Sequence, residues 1–352
     1  MKTLILTILS FSVVCFNCMS QSKYSVMKVP ISISEKYRDF YPQPKSNKKI
    51  FYLDTVVPKE NKNKDYTEII QKVIDVNSYI VMPNYPVYIN KNGLKISSDK
   101  TIYFQKISQI IFKGPADSRE SDILKVYKAK NVKIYNPNIV GSKFQNEKQW
   151  GEWSAGIAIL GSDNVEIYNA YISETYGDGI ILADQSRNII IYGGWIDQAR
   201  RDGISITSGI NVSISNLTIS NTTGTLPMCG IQIEPDWPTD NLENIVIRNV
   251  IGFNNGNATI NTNVGPMNSN EKEYGKRISI TQENITDYYS TFAIGFVMNA
   301  DNSKYTPAGI IRVKNIKSFS SKNFMWKDGG KSNVIIKATS LTDKNGKTIL
   351  LD

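Results

Sequence analysis

The chain of 352 residues contains no histidine. Any mechanism that relies on an imidazole base, and any zinc or copper site with histidine ligands, is therefore excluded. Cysteine is nearly as scarce, with Cys15, Cys18 and Cys229 the three present. The apolar run from Leu4 to Phe16 is shorter than the ~20 residues a spanning helix needs, so no membrane span is expected. That run follows Met1-Lys2-Thr3 and gives way to Cys18-Met19-Ser20 and the polar Gln21-Ser22-Lys23, the pattern of an export signal cleaved after Ser20. The expected location is secreted or periplasmic. Val14 and Asn17 are poor residues to precede a lipidated Cys15 or Cys18, which places lipoprotein anchoring second. Cleavage leaves Cys229 alone, so no intramolecular disulfide can form and the core must hold the fold.

The net charge is +9. In an exported protein a basic balance points to an acidic glycan, a uronate or sulfated polymer, rather than to nucleic acid. The lysines, among them Lys45, Lys48, Lys49, Lys59, Lys62 and Lys64, are scattered and form no single face.

What the chain has in abundance is repetition, which decides the fold before any local pattern does. Gly-Ile-x-apolar followed by Asn-[Val/Ile]-x-Ile recurs at Gly156 and Asn164, Gly179 and Asn188, Gly203 and Asn211, and Gly230 and Asn244. Successive asparagines lie 24, 23 and 33 residues apart. Each phrase is a short alternating run of β-branched residues, a strand with one face buried. Two or three such strands per repeat make one coil of a solenoid, with coils stacked ~4.8 Å apart so that equivalent positions form ladders. Isoleucines are expected to fill the interior, and Asn164, Asn188, Asn211 and Asn244 to form a turn ladder of amides bonded to one another. The longer coils carry insertions around residues 143–153, 223–227 and 235–238, and inserted loops are where a rigid scaffold usually places function. A length prior for the ~330 residues after the signal would suggest two domains, but the repeat overrides it.

Upstream, Asp65 to Asp75 has helical periodicity, followed by strands within Tyr79–Ile89 and at Gly93-Leu94-Lys95-Ile96. An open solenoid end exposes apolar core and strand edges, so this helix is the expected cap. The helix, the Val81-Met82-Pro83 to Val87-Tyr88-Ile89 strand pair and the later coils resemble the pectate-lyase-like β-helix superfamily over roughly residues 50–340. The resemblance implies an all-β, single-stranded right-handed parallel β-helix with an N-terminal capping helix. Residues 1–20 would be the signal and 21–352 one domain, with a capping segment at about 50–100 and coils at about 100–340. That superfamily contains polygalacturonase-type hydrolases, polysaccharide lyases, uronan epimerases and phage depolymerases.

Aligned on their Gly-Ile pairs, the central coils bring Tyr176-Gly177-Asp178 beside Arg200-Arg201-Asp202, with Cys229 at the same place on the third coil and Glu234-Pro235-Asp236-Trp237 at its far end. Asp178 and Asp202 should lie one strand spacing apart. Two such carboxylates repel, which divides a pair into acid and base or acid and nucleophile, as glycoside hydrolysis requires. Asp178, Asp202 and Glu234 are thus the candidate catalytic acids. Arg201 could pair with either aspartate or hold a sugar carboxylate. Tyr176, Trp237, Trp150 and Trp153 offer ring faces for sugars, and Arg200 and Asp236 complete the expected substrate contacts. Asp-Gly is also a common turn pair, which gives Asp178 and Asp202 a second, structural reason to be there.

Gly151-Glu152-Trp153-Ser154, Tyr176-Gly177-Asp178-Gly179, Arg200-Arg201-Asp202-Gly203 and Ile231-Gln232-Ile233-Glu234-Pro235-Asp236 resemble one bacterial branch of the superfamily, which matches at Asp178, Arg201 and Glu234 and departs at Asp202 and Gln232. The resemblance implies cleavage of a polysaccharide, with hydrolysis through Asp178 and Glu234 or Asp202 favoured and Arg201 holding substrate. The alternatives are a lyase that eliminates across a uronate, and a sugar-binding β-helix without chemistry. No cofactor is expected for hydrolysis. A lyase could use a divalent ion such as calcium, held by Asp178, Asp202 and Glu234, to neutralise a uronate carboxylate.

Overall fold

The computed structural model describes residues 25–59, 64–114, 121–145, 152–272, 277–299, 302–319, 323–328 and 332–349. The expected export signal lies outside them. Among the described residues the chain winds as a parallel β-helix of two continuous sheets, one of fifteen strands and one of nine. Short strands, such as Leu124–Tyr127, Ile157–Leu160, Ile180–Ala183, Ile204–Ile206 and Ile231–Ile233, build the nine-stranded sheet in chain order. Long strands, such as Asp163–Ser173, Ser186–Asp197, Gly209–Ser220 and Leu242–Phe253, build the other. No described helix is long and apolar enough to cross a membrane.

The repeat acts as its spacing predicts. Ile157, Ile180, Ile204, Ile231 and Ile260 are register partners in successive coils, and each is fully buried. Because strand side chains alternate, the intervening residues Ile181, Ser205, Gln232 and Asn261 form a second ladder on the outer face. Asn131, Asn164, Asn188, Asn211 and Asn244 all adopt a left-handed φ between 51° and 58°, which asparagine tolerates better than other residues with a Cβ. Asn164 donates to Asn131, Asn211 to Asn188 and Asn244 to Asn211 at 2.8–3.0 Å, while Asn188 turns to Asp163. A second ladder at Asn216, Asn249, Asn284 and Asn315 marks the bend within the long strands.

The cap is Thr67–Val76, which buries Ile70, Val73 and Ile74 against the first coil. The segment from residue 25 to 44, which carries no repeat, runs along the long-strand sheet. Met27 N–H donates to Asn221, Thr218 Oγ1 to the Ile33 carbonyl, Gly194 N–H to the Tyr37 carbonyl, and Tyr41 N–H to Asn136. The segment therefore straps several coils together on the sheet opposite the one that carries the candidate site.

The interior ladder makes a direct prediction. Ile206 is fully buried between its register partners Leu182 and Ile233. Ile206→Ala should cost about 2–5 kcal/mol, the usual range for a core truncation that leaves a cavity. A thermal or urea unfolding transition within experimental error of the parent would show that the coil repacks around the void.

Candidate functional site

The short strands enter their sheet through a tight turn, and the turns of adjacent coils stack. In this stack Asp178 Oδ1 accepts the Asp202 N–H at 3.0 Å, and Asp202 Oδ1 accepts the Cys229 N–H at 2.7 Å. Each aspartate thus ties its own turn to the next coil, which is the structural role open to an Asp-Gly turn. Gly177 is required because a Cβ there would lie 2.3 Å from the Trp153 carbonyl oxygen, where the inserted loop crosses the turn. The remaining oxygens are not used up by backbone. Asp178 Oδ2 lies 3.2 Å and Asp202 Oδ2 3.3 Å from the same nitrogen, Arg201 Nη1. Arg201 Nη2 is 3.8 Å from Glu234 Oε2, and the Ser205 hydroxyl donates to Asp202 Oδ2 at 3.3 Å.

Three carboxyl groups therefore face one guanidinium. Burial pushes the Asp178 carboxyl above the usual carboxylate range, with Arg201 opposing it. Burial pushes Asp202 up further, and neighbouring Asp178 adds to the effect. Burial works against the Arg201 cation, but Asp178, Asp202 and Glu234 hold its proton more firmly than usual. With two buried acids and one cation between them, retention of a proton by the aspartate pair is the cheaper state. The guanidinium also stands where a divalent ion bridging these carboxylates would have to sit, so the residues do not fit a metal.

An open groove lies over this cluster. Asp178, Arg201 and Glu234 line it, together with Asp236, Trp153 and Glu152 and the outward ladder of Ile181, Ser205 and Gln232. Asp202 does not line it: its side chain is fully buried behind Arg201. Tyr176 and Arg200 are likewise not brought to the groove. Each is 4% exposed; the Arg200 guanidinium lies 4.9 Å from the Tyr176 ring and donates to the Lys143 carbonyl at 2.6 Å. Trp237 is 67% exposed on a loop pinned by Asp240, which accepts the Asp236 and Trp237 N–H groups, and its ring is not among the lining groups. Trp150 lies outside the described residues. Cys229 is fully buried, and burial pushes its thiol well up, as suits a small core residue.

Ser205, Gln232 and Glu152 are groove residues that the sequence reading did not place there. Gln232 donates from Nε2 to Glu234 Oε2 at 3.1 Å, and Asn263 Nδ2 donates to Glu234 Oε1 at 2.7 Å. The signal was available in strand parity, since Ser205, Gln232 and Glu234 share the outward face of consecutive coils.

The model of a family described as the right-handed β-helix region matches residues 78–236. The chain is 32% identical over 128 residues to the uncharacterized protein YclG of Bacillus subtilis (strain 168). That match covers 31% of this chain and 22% of the relative, so it spans about a fifth of the relative's length. Among solved structures, the surface adhesin PfbA of Streptococcus pneumoniae aligns at 14% identity over 84% of this chain and 83% of its own, with a TM-score of 0.48. The family 28 exopolygalacturonase of Yersinia enterocolitica aligns at 11% identity over 85% of this chain and 78% of its own, with a TM-score of 0.47.

Proposed function

We propose that this chain, a right-handed parallel β-helix, is an exported enzyme that hydrolyses a polysaccharide in the groove over Asp178, Arg201 and Glu234. The observation that carries the reading is the unequal surroundings of two carboxyl groups on one groove wall. Asp178 is 2% exposed and shifted upward by burial, whereas the Glu234 side chain is 30% exposed and faces the groove. That inequality is what separates a proton donor from an acceptor in glycoside cleavage. Asp178 would protonate the departing glycosidic oxygen, and Glu234 would take the proton from the attacking water or attack the sugar itself. Trp153 on the rim offers a ring face for a neighbouring sugar.

Two roles shift from the expectations of sequence. Arg201 is engaged by Asp178, Asp202, Ser205 and Glu234, so it serves to hold the carboxyls rather than to seize a substrate carboxylate. Asp202, behind it, supports Arg201. The same arrangement weighs against β-elimination, which needs a cation ready to neutralise a uronate. It also bears on substrate charge. Glu152, Glu234 and Asp236 line the groove with one arginine, beside the proton-donating Asp178, and a field of that sign disfavours a uronate despite the chain's +9 balance. The favoured substrate is a polysaccharide without a carboxylate at the cleaved unit.

Incubation of the mature protein with a panel of neutral and acidic polysaccharides tests this directly. New reducing ends from a neutral polymer, without the ultraviolet absorbance of unsaturated uronates, are expected. Absorbance from a uronate polymer would replace hydrolysis with elimination, and binding without either signal would reduce the chain to a sugar-binding module.

A further inference from the structure

The geometry points to Asn263 and Gln232 as positioning residues that fix Glu234 as the proton acceptor of the pair, an assignment that rests on the reading of Glu234 as a reacting carboxylate. A side-chain amide can present either its oxygen or its NH2 to a neighbour, and only its other contacts decide which. For Asn263 the decision is made by the backbone. Its Oδ1 accepts the Gly265 N–H at 3.0 Å, a donor that cannot be reversed, so Nδ2 must be the end that meets Glu234 Oε1 at 2.7 Å. On the other oxygen, Gln232 Nε2 donates to Oε2 at 3.1 Å, while Gln232 Oε1 accepts Asn261 Nδ2 at 3.0 Å.

Both oxygens of Glu234 therefore receive donors from amides, each of which is held from behind. In these contacts both oxygens of Glu234 act as acceptors. The clamp also fixes where the carboxylate stands. Asn263 follows Thr262, the register partner of Ile233 in the next coil, and so stands one coil beyond Glu234 on the same outward face as Gln232 and Asn261. Room for the second arm comes from the next coil, where a Cβ on Gly295 would lie 2.4 Å from Asn261 Oδ1. Of Asp178 and Glu234 this leaves the donor role to Asp178.

Asn263→Asp is the discriminating change, because it keeps size, packing and the acceptor for the Gly265 N–H and replaces only the NH2 that faces Glu234. On the panel polysaccharide that the parent cleaves fastest, kcat should fall about 10- to 100-fold at pH 7, in line with the loss expected when a reacting group is misplaced. KM should stay within about twofold, and activity should recover in part as pH is lowered, because a proton shared by the two carboxyls restores a donor. Gln232→Glu, which keeps the acceptor for Asn261, should behave alike and serves if the first variant does not fold. Inactive Glu234→Gln together with a parental kcat and pH profile in Asn263→Asp and Gln232→Glu would overturn the positioning role and leave the hydrolase reading standing. No cleavage of any panel polysaccharide by the parent chain would overturn both.

Discussion

Asp178→Asn is expected to lower kcat by about 10²- to 10⁴-fold, the range supplied by a general acid, with the fold retained. The substitution is nearly isosteric, and the amide oxygen can still accept the Asp202 N–H that the carboxylate accepts now. What disappears is the proton. The pH dependence separates this from a structural effect. Burial holds the Asp178 carboxyl above its ordinary value, so the acid keeps the proton it must deliver until the pH passes that raised value, and kcat/KM of the parent should fall as pH rises through it. The variant should lose that limb. Linkage gives the same direction for stability. A carboxyl with a raised folded value contributes stability that is present below the unfolded carboxylate range and lost as pH rises through the folded value. The variant cannot ionise there, so its thermal midpoint should gain on the parent's between mildly acidic and neutral pH. A kcat within about threefold of the parent would remove Asp178 from the chemistry.

Why these two aspartates could be paired from sequence is a matter of period. Asp178 and Asp202 lie 24 residues apart, one coil, so placing them side by side needed only the repeat. The interior isoleucines and the asparagine ladders were legible for the same reason, since every coil repeats the same conformational demand. Where period fails, the reading fails with it. Arg200 and Arg201 are adjacent in a turn, after Gln198 at a φ of 58°, where strand alternation no longer says which side chain faces the groove. One passes inward to Tyr176 and the Lys143 carbonyl, and the other comes out among the acids. Trp237 sits in a loop whose course is set by Asp240, so an aromatic placed near the site in sequence points elsewhere. The strap at 25–44 was invisible because it has no period: its backbone meets Asn136, Thr218 and Asn221, and single side chains, Tyr41 on Tyr168 and Arg38 over Tyr171, pack it on the sheet. The clamp on Glu234 was readable in principle. Its partners Gln232 and Asn263 follow from parity and register, but only once the coil between Glu234 and Asn263 has been counted through the longer loop that separates them.

Arg201→Met should be the most damaging single change to stability, about 3–5 kcal/mol at neutral pH, the cost of removing one partner from a buried ion pair. The methionine keeps much of the aliphatic stem, so lost packing is a small part of the effect. The larger part is electrostatic. Asp178 and Asp202 are 2% and 0% exposed, and Arg201 is the cation that both of them face. Without it neither can shed its proton cheaply, and their folded values rise further above the unfolded ones. The stability they contribute is then present below the unfolded carboxylate range and lost over a wider span as pH rises. The deficit of the variant should therefore shrink as pH falls toward the unfolded carboxylate range, where the parent's aspartates take up protons as well. Arg201→Lys should fall between the two, because one ammonium keeps the charge but cannot reach Asp178 and Asp202 with one nitrogen and Glu234 with another. Thermal unfolding of the three proteins across pH 4 to 8 measures this. An equal deficit for Arg201→Met at both ends of that range would mean that the arginine holds the turn by packing, and that the two aspartates keep their protons without it.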